Sequence, residues 1–377
     1  MSELETDKLF LERALQAARD SIGRTSPNPS VGAVIVNDQG TIVGAGSHTY
    51  DGVKHAEILA LEQAGEQARG STIYLNLEPC SHQGRTGPCA DAIIAAGLRC
   101  VVACMEDPNP EVRGKGFQKL RAAGIVVRSG MLEEQAKQLN ESFAKYIRHH
   151  SPLVTLKAAM TLDGKIAPPA GSSKRPVWIT GAGTRAHAQQ LRHHNDAIMV
   201  GVGTVIADNP LLTDRSGRAR RRPLLRVILD SRLRLPLQSQ VVETAKNDVL
   251  VLCSLAEEQK KEQLRQRGVR VDEIPPATSD GRPGLPDVVR FLGTLEITSL
   301  MIEGGAMVNG AALAANIVDK VFLYYAPRIL AGTHSVPFAA GAGFQNMTEA
   351  AHVKTFRLHP LGEDFAVEGY LKDPYRD

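Results

Sequence analysis

The sequence predicts two consecutive α/β domains, the first an α/β sandwich and the second built on a mixed sheet. Three observations carry this. The chain has 377 residues, more than one core usually organises. Strand-like apolar runs alternate with helix-like periodicity over short connections in both halves. The alternation breaks at His149-His150-Ser151-Pro152, where proline disfavours continuing a long polar helix, and it restarts at PLVTLKAAM. The domains are therefore placed at 1–150 and 151–377.

In the first part, a helix is predicted over about Asp7–Arg19 with Thr6 as N-cap. The runs VGAVIV from Val31 and TIVGAG from Thr41 read as a hairpin turning at Asp38-Gln39-Gly40. A helix follows at HAEILALEQAG, with Ile58, Leu61, Ala64 and Ala68 spaced for one apolar face. Then come a strand at TIYLNL, a helix from Cys89, and a strand at CVVACM from Cys100. A helix near Gly116–Ala123, the short strand IVV and a helix over Leu132–His149 close the domain. In the second part, strands are predicted at PLVTLKAAM, AIMV, LRVILD, DVLVLC, SLMIE and KVFLYYA, with helices between them. The last strands, near His352 and Phe365, have no helix between them, which predicts an antiparallel edge. The stretch PPATSDGRPGLP from Pro275 is a loop by composition.

Net charge is +3, from 44 basic and 41 acidic residues, which gives no global case for nucleic acid or a membrane surface as partner. Aromatic residues make up only 5%, too few for base-stacking platforms. The five cysteines are sparse and odd in number, so they fit a reducing compartment better than a disulfide framework. The N-terminus is amphipathic and carries acids, unlike a signal or transit peptide. No apolar run approaches the roughly 20 residues a membrane helix needs. These features predict a cytoplasmic protein, and a symmetric homo-oligomer is compatible with them.

The chemistry is legible at His55-Ala56-Glu57. Residues two apart do not share a face in a regular helix, so both side chains reach one point only where the helix begins. Downstream, LEPCSHQGRTGPC places Cys80 at a strand's end and Cys89 at a helix start. One imidazole and two thiolates make a three-ligand zinc set with the fourth position left for water. Glu57 is then the proton shuttle of a zinc deaminase, which carries His-x-Glu followed by Pro-Cys and a second cysteine. A four-ligand structural zinc with His82 is the alternative, but it leaves Glu57 idle. Cys100, Cys104 and Cys253 read as buried strand positions.

Taken alone, the second half says less. In SLMIEGGAMVNG, adjacent glycines between strand and helix would let backbone N–H groups approach a phosphate, or form only a turn. The G-x-G-x-x-G pattern is absent, so no Rossmann reading follows. RSGRARRRP holds five arginines in eight residues from Arg215. That run reads as a contact to a cofactor's 2′-phosphate, as an RNA contact, or as a solvated loop. The pairs His149-His150 and His193-His194 read as solvent-facing helix ends.

The segments SPNPSVGAVIV from Ser26, HAE at His55, EPCSHQGRTGPC from Glu78 and DPNP at Asp107 resemble the bifunctional riboflavin-biosynthesis deaminase–reductase family. So do KAAMTLDGKIA, WIT at Trp178, GVGTVIADNPLLTDR from Gly201 and IEGGAMVNG from Ile302. The resemblance covers nearly the whole chain. It implies a cytidine-deaminase-like α/β sandwich followed by a dihydrofolate-reductase-like domain. It implies His55, Cys80 and Cys89 as zinc ligands, with Glu57 catalytic. Asn28 becomes a contact to the base edge, with a turn-forming asparagine as the alternative.

NADPH would be contacted by Met160, Trp178, Thr204, Asp208 and Ser231, with its phosphates held by Gly305, Ala306, Met307, Val308, Asn309, Gly310 and Ala311. Arg192, Leu212, Arg215 and Glu303 would face the substrate, a ribosylaminopyrimidine phosphate. The two arginines suit its phosphate through bidentate hydrogen bonds, and Lys157 and Glu303 are candidates to assist ribose opening. GSSKRPVWIT is about two residues longer than the usual spacing, so the substrate serine falls at Ser173 or aligns with Pro176. The implied activity is deamination of the ribotide and then NADPH reduction of ribosyl to ribityl. The rival reading is an RNA-editing or nucleoside zinc deaminase with a non-catalytic C-terminal binding domain.

Overall fold

The computed structural model describes residues 2–83, 87–169, 178–277 and 281–376. The chain divides into two units, Met1–His149 with Ala219–Arg222, and His150–Arg218 with Pro223–Asp377.

Unit 1 runs α1 (Glu3–Asp20), β1 (Gly32–Val36), β2 (Ile42–Ser47), α2 (Ala56–Ala64), β3 (Thr72–Leu75), α3 (Cys89–Ala95), β4 (Cys100–Ala103), α4 (Lys115–Ala122), β5 (Val126–Ser129) and α5 (Glu133–His149). Its sheet has the order β2-β1-β3-β4-β5. β1 is antiparallel to both neighbours, and β3, β4 and β5 are parallel. Helix α1 starts earlier than its apolar periodicity predicts. Ser2 caps it, accepting from the Glu5 N–H, while Glu5 accepts from the Ser2 N–H at 2.8 Å. This reciprocal pair outcompetes Thr6, whose hydroxyl donates to the Ser2 carbonyl inside the first turn.

Helix α2 corrects a second expectation. Its buried face is Ala56, Ala60 and Ala64, together with Glu57, while Ile58 and Leu61 are only half-buried. The cause lies in β2. A Cβ on Gly44 would lie 2.1 Å from the Ala60 carbonyl oxygen, and one on Gly46 would lie 2.3 Å from that of Ala56. The helix rests on strand backbone, and only alanine fits such an approach. Helix α5 departs from helical geometry at Asn140 (φ −113°). There Asn140 accepts from the Ser30 N–H at 2.8 Å and donates to the Ser30 carbonyl at 3.1 Å. Asn76 donates to the same carbonyl and accepts from the Gly32 N–H, both at 2.9 Å. Two buried amides thus pin the end of the SPNPS segment.

Unit 2 runs β6 (Leu153–Thr161), β7 (Lys165–Ala167), α6 (Ala182–His193), β8 (Ala197–Gly201), α7 (Val202–Asp208), β9 (Leu225–Leu229), α8 (Gln240–Glu243), β10 (Val249–Cys253), α9 (Glu258–Arg265), β11 (Val269–Glu273), α10 (Leu285–Thr294), β12 (Ser299–Ile302), α11 (Ala306–Ala314), β13 (Lys320–Ala326), β14 (Val336–Pro337), β15 (Thr355–Leu361) and β16 (Asp364–Tyr370). The main sheet has the order β11-β10-β9-β8-β12-β6-β13-β16-β15. It is parallel from β11 to β13, and β16 and β15 add the antiparallel edge. The inner strands VLVLC and SLMI are buried throughout, as strands covered on both faces must be.

Three strands escaped the sequence reading. β7 and β14 are a short pair, and β11 is an edge strand whose VRVDE exposes alternate residues. The Pro275 loop is closed by a bridge between Pro276 and Pro283, and its last two residues belong to α10.

Two buried charges set the frame around the second site. Asp364 accepts from the Gly181 N–H at 2.7 Å and the Thr184 hydroxyl at 2.6 Å, so it caps the start of α6 from the edge hairpin. Arg226 is fully buried; it donates to Asp248 at 2.8 and 3.1 Å and to the Leu211 carbonyl at 3.0 Å. It thereby fixes the loop at Leu211, next to Leu212, whose backbone is left-handed (φ 57°). Among the described residues, no helix is long and apolar enough to cross a membrane.

Candidate active sites

His55 occupies the N-cap of α2 with extended backbone (φ −73°, ψ 159°), and Glu57 lies in the first turn. Cys89 opens α3, and Cys80 follows β3. The ligand atoms of His55, Cys80 and Cys89 lie within 4.8 Å of one another. His55 Nδ1 is 3.2 Å from Cys89 Sγ and 3.6 Å from Cys80 Sγ. The Cys89 N–H also points at Cys80 Sγ, at 3.3 Å. Cys80 is held well below the ordinary thiol range, at about 4, first by its hydrogen bond with Cys89 and then, against burial, by His55. The same shared proton and burial push the Cys89 thiol up. Two sulfurs sharing one proton beside an imidazole are a donor set that a divalent cation fits.

Glu57 is 3% exposed, and among the described residues its Oε2 has no hydrogen-bond partner. Burial, and then the Cys80 thiolate, raise its carboxyl above the ordinary range. A buried carboxylate oxygen left without a donor is costly unless a ligand or water completes it. His82 is exposed and lies outside the ligand group, so the four-ligand alternative has no support here. Cys100, Cys104 and Cys253 are buried strand or strand-end positions, and burial raises each thiol. Gly84, Arg85 and Thr86 of the cysteine loop lie outside the described residues.

Around this centre stand residues that the sequence reading missed. His48 is buried, and its ring lies 5.4 Å from that of His55, edge to face. Asn28 Nδ2 meets His48 Nε2 at 3.0 Å, and His48 Nδ1 meets the Lys54 carbonyl at 3.0 Å. The Lys54 carbonyl can only accept, so His48 donates from Nδ1, and its Nε2 accepts from the Asn28 amide nitrogen. Glu78 accepts from the backbone N–H groups of Asp107, Gly114 and Phe117 at 3.0, 2.9 and 3.1 Å. It thus ties the DPNP turn to the residue preceding Pro79-Cys80. The Asp107 carboxyl, raised by burial to about 6, accepts from the Asn109 N–H at 2.8 Å and shapes that turn. Asn140 had a sequence signal, a poor helix former inside an amphipathic helix; His48 had none.

The second site gathers at the carboxyl ends of the parallel strands, where open α/β sheets bind ligands. Glu303 follows β12, and its Oε1 accepts from Lys157 Nζ at 2.7 Å. Its Oε2 accepts from Arg192 Nε and Nη2 at 3.0 and 2.8 Å. Burial alone would raise the Glu303 carboxyl, but Lys157 and Arg192 outweigh it and hold it at about 2. Lys157 also lies 5.5 Å from the centre of the Tyr324 ring. The Arg192 fork, read from sequence as a phosphate contact, therefore grips Glu303, and its Nη1 donates to the Thr213 carbonyl at 3.0 Å. Arg215 Nη1 reaches the Thr213 hydroxyl at 3.3 Å, next to buried Leu212.

Gly305 is the N-cap of α11, and no side chain caps this helix. A Cβ on Gly305 would lie 3.2 Å from Thr204 Oγ1, and one on Gly304 would lie 2.9 Å from Val308 Cβ. The two glycines thus leave a cradle before a helix whose first-turn N–H groups lack intrahelical acceptors. The structure narrows the phosphate stretch. The N–H groups of Val308 and Asn309 already bond the Gly305 carbonyl. Asn309 is buried and donates to the Phe338 carbonyl at 2.8 Å. Gly310 packs where a Cβ would lie 1.8 Å from the Ala340 carbonyl oxygen. The remaining predicted contacts stand on other elements. Met160 is buried on β6, Trp178 is 67% exposed with Arg185 stacked on its ring at 5.0 Å, Asp208 is exposed at the end of α7, and Ser231 follows β9. Ser173 and Pro176 lie outside the described residues.

The arginine run is not wholly solvated. The Arg221 side chain is 22% exposed, and its Nη1 donates to the Ser26 carbonyl at 2.8 Å within unit 1. His193 is buried as well, 2.9 Å from Asp214, against the expectation of a solvent-facing helix end.

Residues 4–105 match the cytidine and deoxycytidylate deaminase zinc-binding region, and residues 152–367 match the RibD C-terminal domain. Fold and site thus define a zinc-dependent pyrimidine deaminase joined in one chain to a reductase. The chain is 41% identical to riboflavin biosynthesis protein RibD of Actinobacillus pleuropneumoniae over 98% of its length and 96% of that protein. It is 42% identical to that of Aquifex aeolicus, over 96% and 98%. The solved RibD of Acinetobacter baumannii superposes with a TM-score of 0.83 at 37% identity, covering 98% of this chain and 99% of that one. The chain belongs to the riboflavin biosynthesis protein RibD family. It is a bifunctional deaminase and reductase of riboflavin biosynthesis that takes a small-molecule pyrimidine, with zinc and NADPH as cofactors.

Proposed function

We propose that residues 1–150 deaminate 2,5-diamino-6-ribosylamino-4(3H)-pyrimidinone 5′-phosphate and that residues 151–377 reduce the product's ribosyl group to ribityl. The observation that carries this reading is the buried Glu57 Oε2 without a partner beside the His55–Cys80–Cys89 triangle.

His55, Cys80 and Cys89 would hold zinc, since one imidazole and two thiolates leave one tetrahedral position open. Bound there, zinc supplies the Lewis acidity that makes water a nucleophile near neutral pH. Glu57 takes a proton from the attacking water and passes it to the departing amine, a role its raised carboxyl suits. Asn28, held against His48, reads the base edge.

In the second unit, NADPH supplies the hydride that no side chain can deliver. The N–H groups of Gly305, Ala306 and Met307 would hold its phosphates, with Thr204 beside Gly305 in the cradle. Met160, Trp178, Asp208 and Ser231 are assigned to the rest of the cofactor. Lys157, fixed by Glu303, donates a hydrogen bond as the ribose opens to its C1′ imine. Arg215 and the Leu212 loop face the substrate phosphate, while Arg192 orients Glu303. None of the five cysteines is paired in a disulfide, which supports a cytoplasmic location. A symmetric homo-oligomer is compatible with this reading.

Mass spectrometry of the diaminopyrimidine ribotide, incubated with enzyme with and without NADPH, tests the assignment. Exchange of an amine for oxygen without NADPH, followed by gain of two hydrogens with it, is expected. No change with zinc-loaded enzyme would overturn the substrate and return attention to RNA.

A further inference from the structure

Segment Ala219–Arg222 lies in sequence between β8 and β9 of unit 2, yet it packs as part of unit 1. Its contacts converge on the two loops that carry Asn28 and His48. The Arg221 N–H donates to the Gly23 carbonyl at 2.8 Å, and Nη1 donates to the Ser26 carbonyl at 2.8 Å. The guanidinium carbon lies 3.6 Å from the centre of the Tyr50 ring. Nε reaches Asp51 at 3.2 Å, and Arg222 Nη2 reaches the Ser26 hydroxyl at 3.2 Å.

These contacts are unequal. Asp51 is 75% exposed, so its ion pair adds little. The stacked guanidinium and the two carbonyl bonds are the parts that hold. Asn28 lies two residues after Ser26, and His48 lies two before Tyr50. Arg221 therefore grips both strands of chain that meet in the Asn28–His48 hydrogen bond beside His55.

We propose that Arg221 is a positioning residue for deamination: it clamps the Gly23–Ser26 and Tyr50–Asp51 loops together and so holds Asn28 against His48 at the deaminase pocket. This rests on the reading of Asn28 as a contact to the base edge. Arg221 does not touch the reacting atoms; it sets the distance between two loops that do the recognising. A loosened clamp leaves the zinc ligands and Glu57 in place, because the head of α2 carries His55 and Glu57, α3 carries Cys89 and the loop after β3 carries Cys80, and it releases only the pocket wall.

The test uses the full-length, zinc-loaded enzyme and the diaminopyrimidine ribotide without NADPH. Arg221→Ala is expected to raise the deaminase KM about tenfold with a smaller change in kcat, since a displaced wall costs binding before chemistry. Zinc content and the reductase rate on the deaminated ribotide stay unchanged. Arg221→Lys, which keeps charge and stem but loses the fork, falls between the two. It supplies the same readout should the alanine variant fold poorly. In the double variant Arg221→Ala/Tyr50→Ala, the two effects on KM are expected to be less than additive. Asn28→Ala separates the two ideas. If it raises KM while both Arg221 variants stay within about twofold of the parent, the clamp is overturned and the pocket reading stands. If Asn28→Ala leaves KM unchanged, the pocket reading fails, and the clamp's role falls with it.

Discussion

Glu57 and Glu303 are both carboxylates buried at the heart of a site, yet their surroundings differ. Glu57 Oε2 has no hydrogen-bond partner among the described residues, and burial raises its carboxyl. Glu303 accepts from Lys157 and twice from Arg192, and it is held at about 2. A group that must gain and lose a proton has to be left uncompensated. A group that must keep two cations in place has to be compensated fully. On the proposed roles, the first centre does acid–base chemistry with its own side chain. The second is a frame for chemistry that the cofactor supplies.

This contrast breaks most directly at Glu57. Glu57→Gln is expected to lower deamination by about a thousandfold. The melting temperature should not fall, because glutamine keeps the side chain's shape while removing a buried charge whose Oε2 has no hydrogen-bond partner among the described residues. Zinc content and reduction should be unchanged; a loss of reduction in the same variant would sink the division of roles.

Glu303→Gln is expected to do the opposite, leaving Lys157 and Arg192 buried without their counter-charge and destabilising unit 2 by about 3–5 kcal/mol. Thermal unfolding read through reduction should show it, with deamination spared. The parent enzyme gives a matching pH effect. Glu303 has a depressed carboxyl, so its contribution is present above the unfolded value of 4.5 and fades as pH falls toward about 2. Acid unfolding of unit 2 should therefore sharpen in that window, and the glutamine variant should lose that part of the slope.

A smaller effect is expected at Gly310, where an added methyl meets the Ala340 carbonyl. Gly310→Ala should cost about 1–3 kcal/mol and raise the KM for NADPH by shifting α11. A change in deaminase KM instead would place α11 in the wrong site. Smallest of all, Cys253→Ala should leave both activities within about twofold and zinc content unchanged, as expected of a buried thiol outside the ligand group.

The same contrast explains what the sequence disclosed. Metal chemistry demands particular residue types at short range, so His55, Glu57, Cys80 and Cys89 announced themselves within 35 positions. The Lys157–Glu303–Arg192 cluster joins β6, α6 and the end of β12 across a long stretch of chain, and no spacing rule links them. Only the resemblance named those residues, and only the fold showed Arg192 gripping a carboxylate. Apolar periodicity found the inner strands but misjudged α2, because Gly44 and Gly46 decide which face of that helix is buried. Asn140 and Glu78 hold backbone groups far from them in sequence; a poor helix former inside a helix marks Asn140, but nothing in the sequence names either residue's partner.

The seat of α2 on β2 has a mechanical consequence. Side chains between a helix and a sheet act as a compliant layer that yields by changing rotamers. Here that layer is missing, and the Ala56 and Ala60 carbonyls bear on the strand itself. His55, at the head of the helix, therefore inherits the stiffness of the sheet. The loops at 23–30 and 48–54 are tied instead by side chains, Asn76 and Asn140 at Ser30 and Arg221 at Ser26 and Tyr50. On the proposed roles, the fold separates a rigid anvil, which would set the zinc ligands, from jaws tied by side chains, which would set what is gripped. Substrate preference can drift through the jaws without the ligand triangle moving.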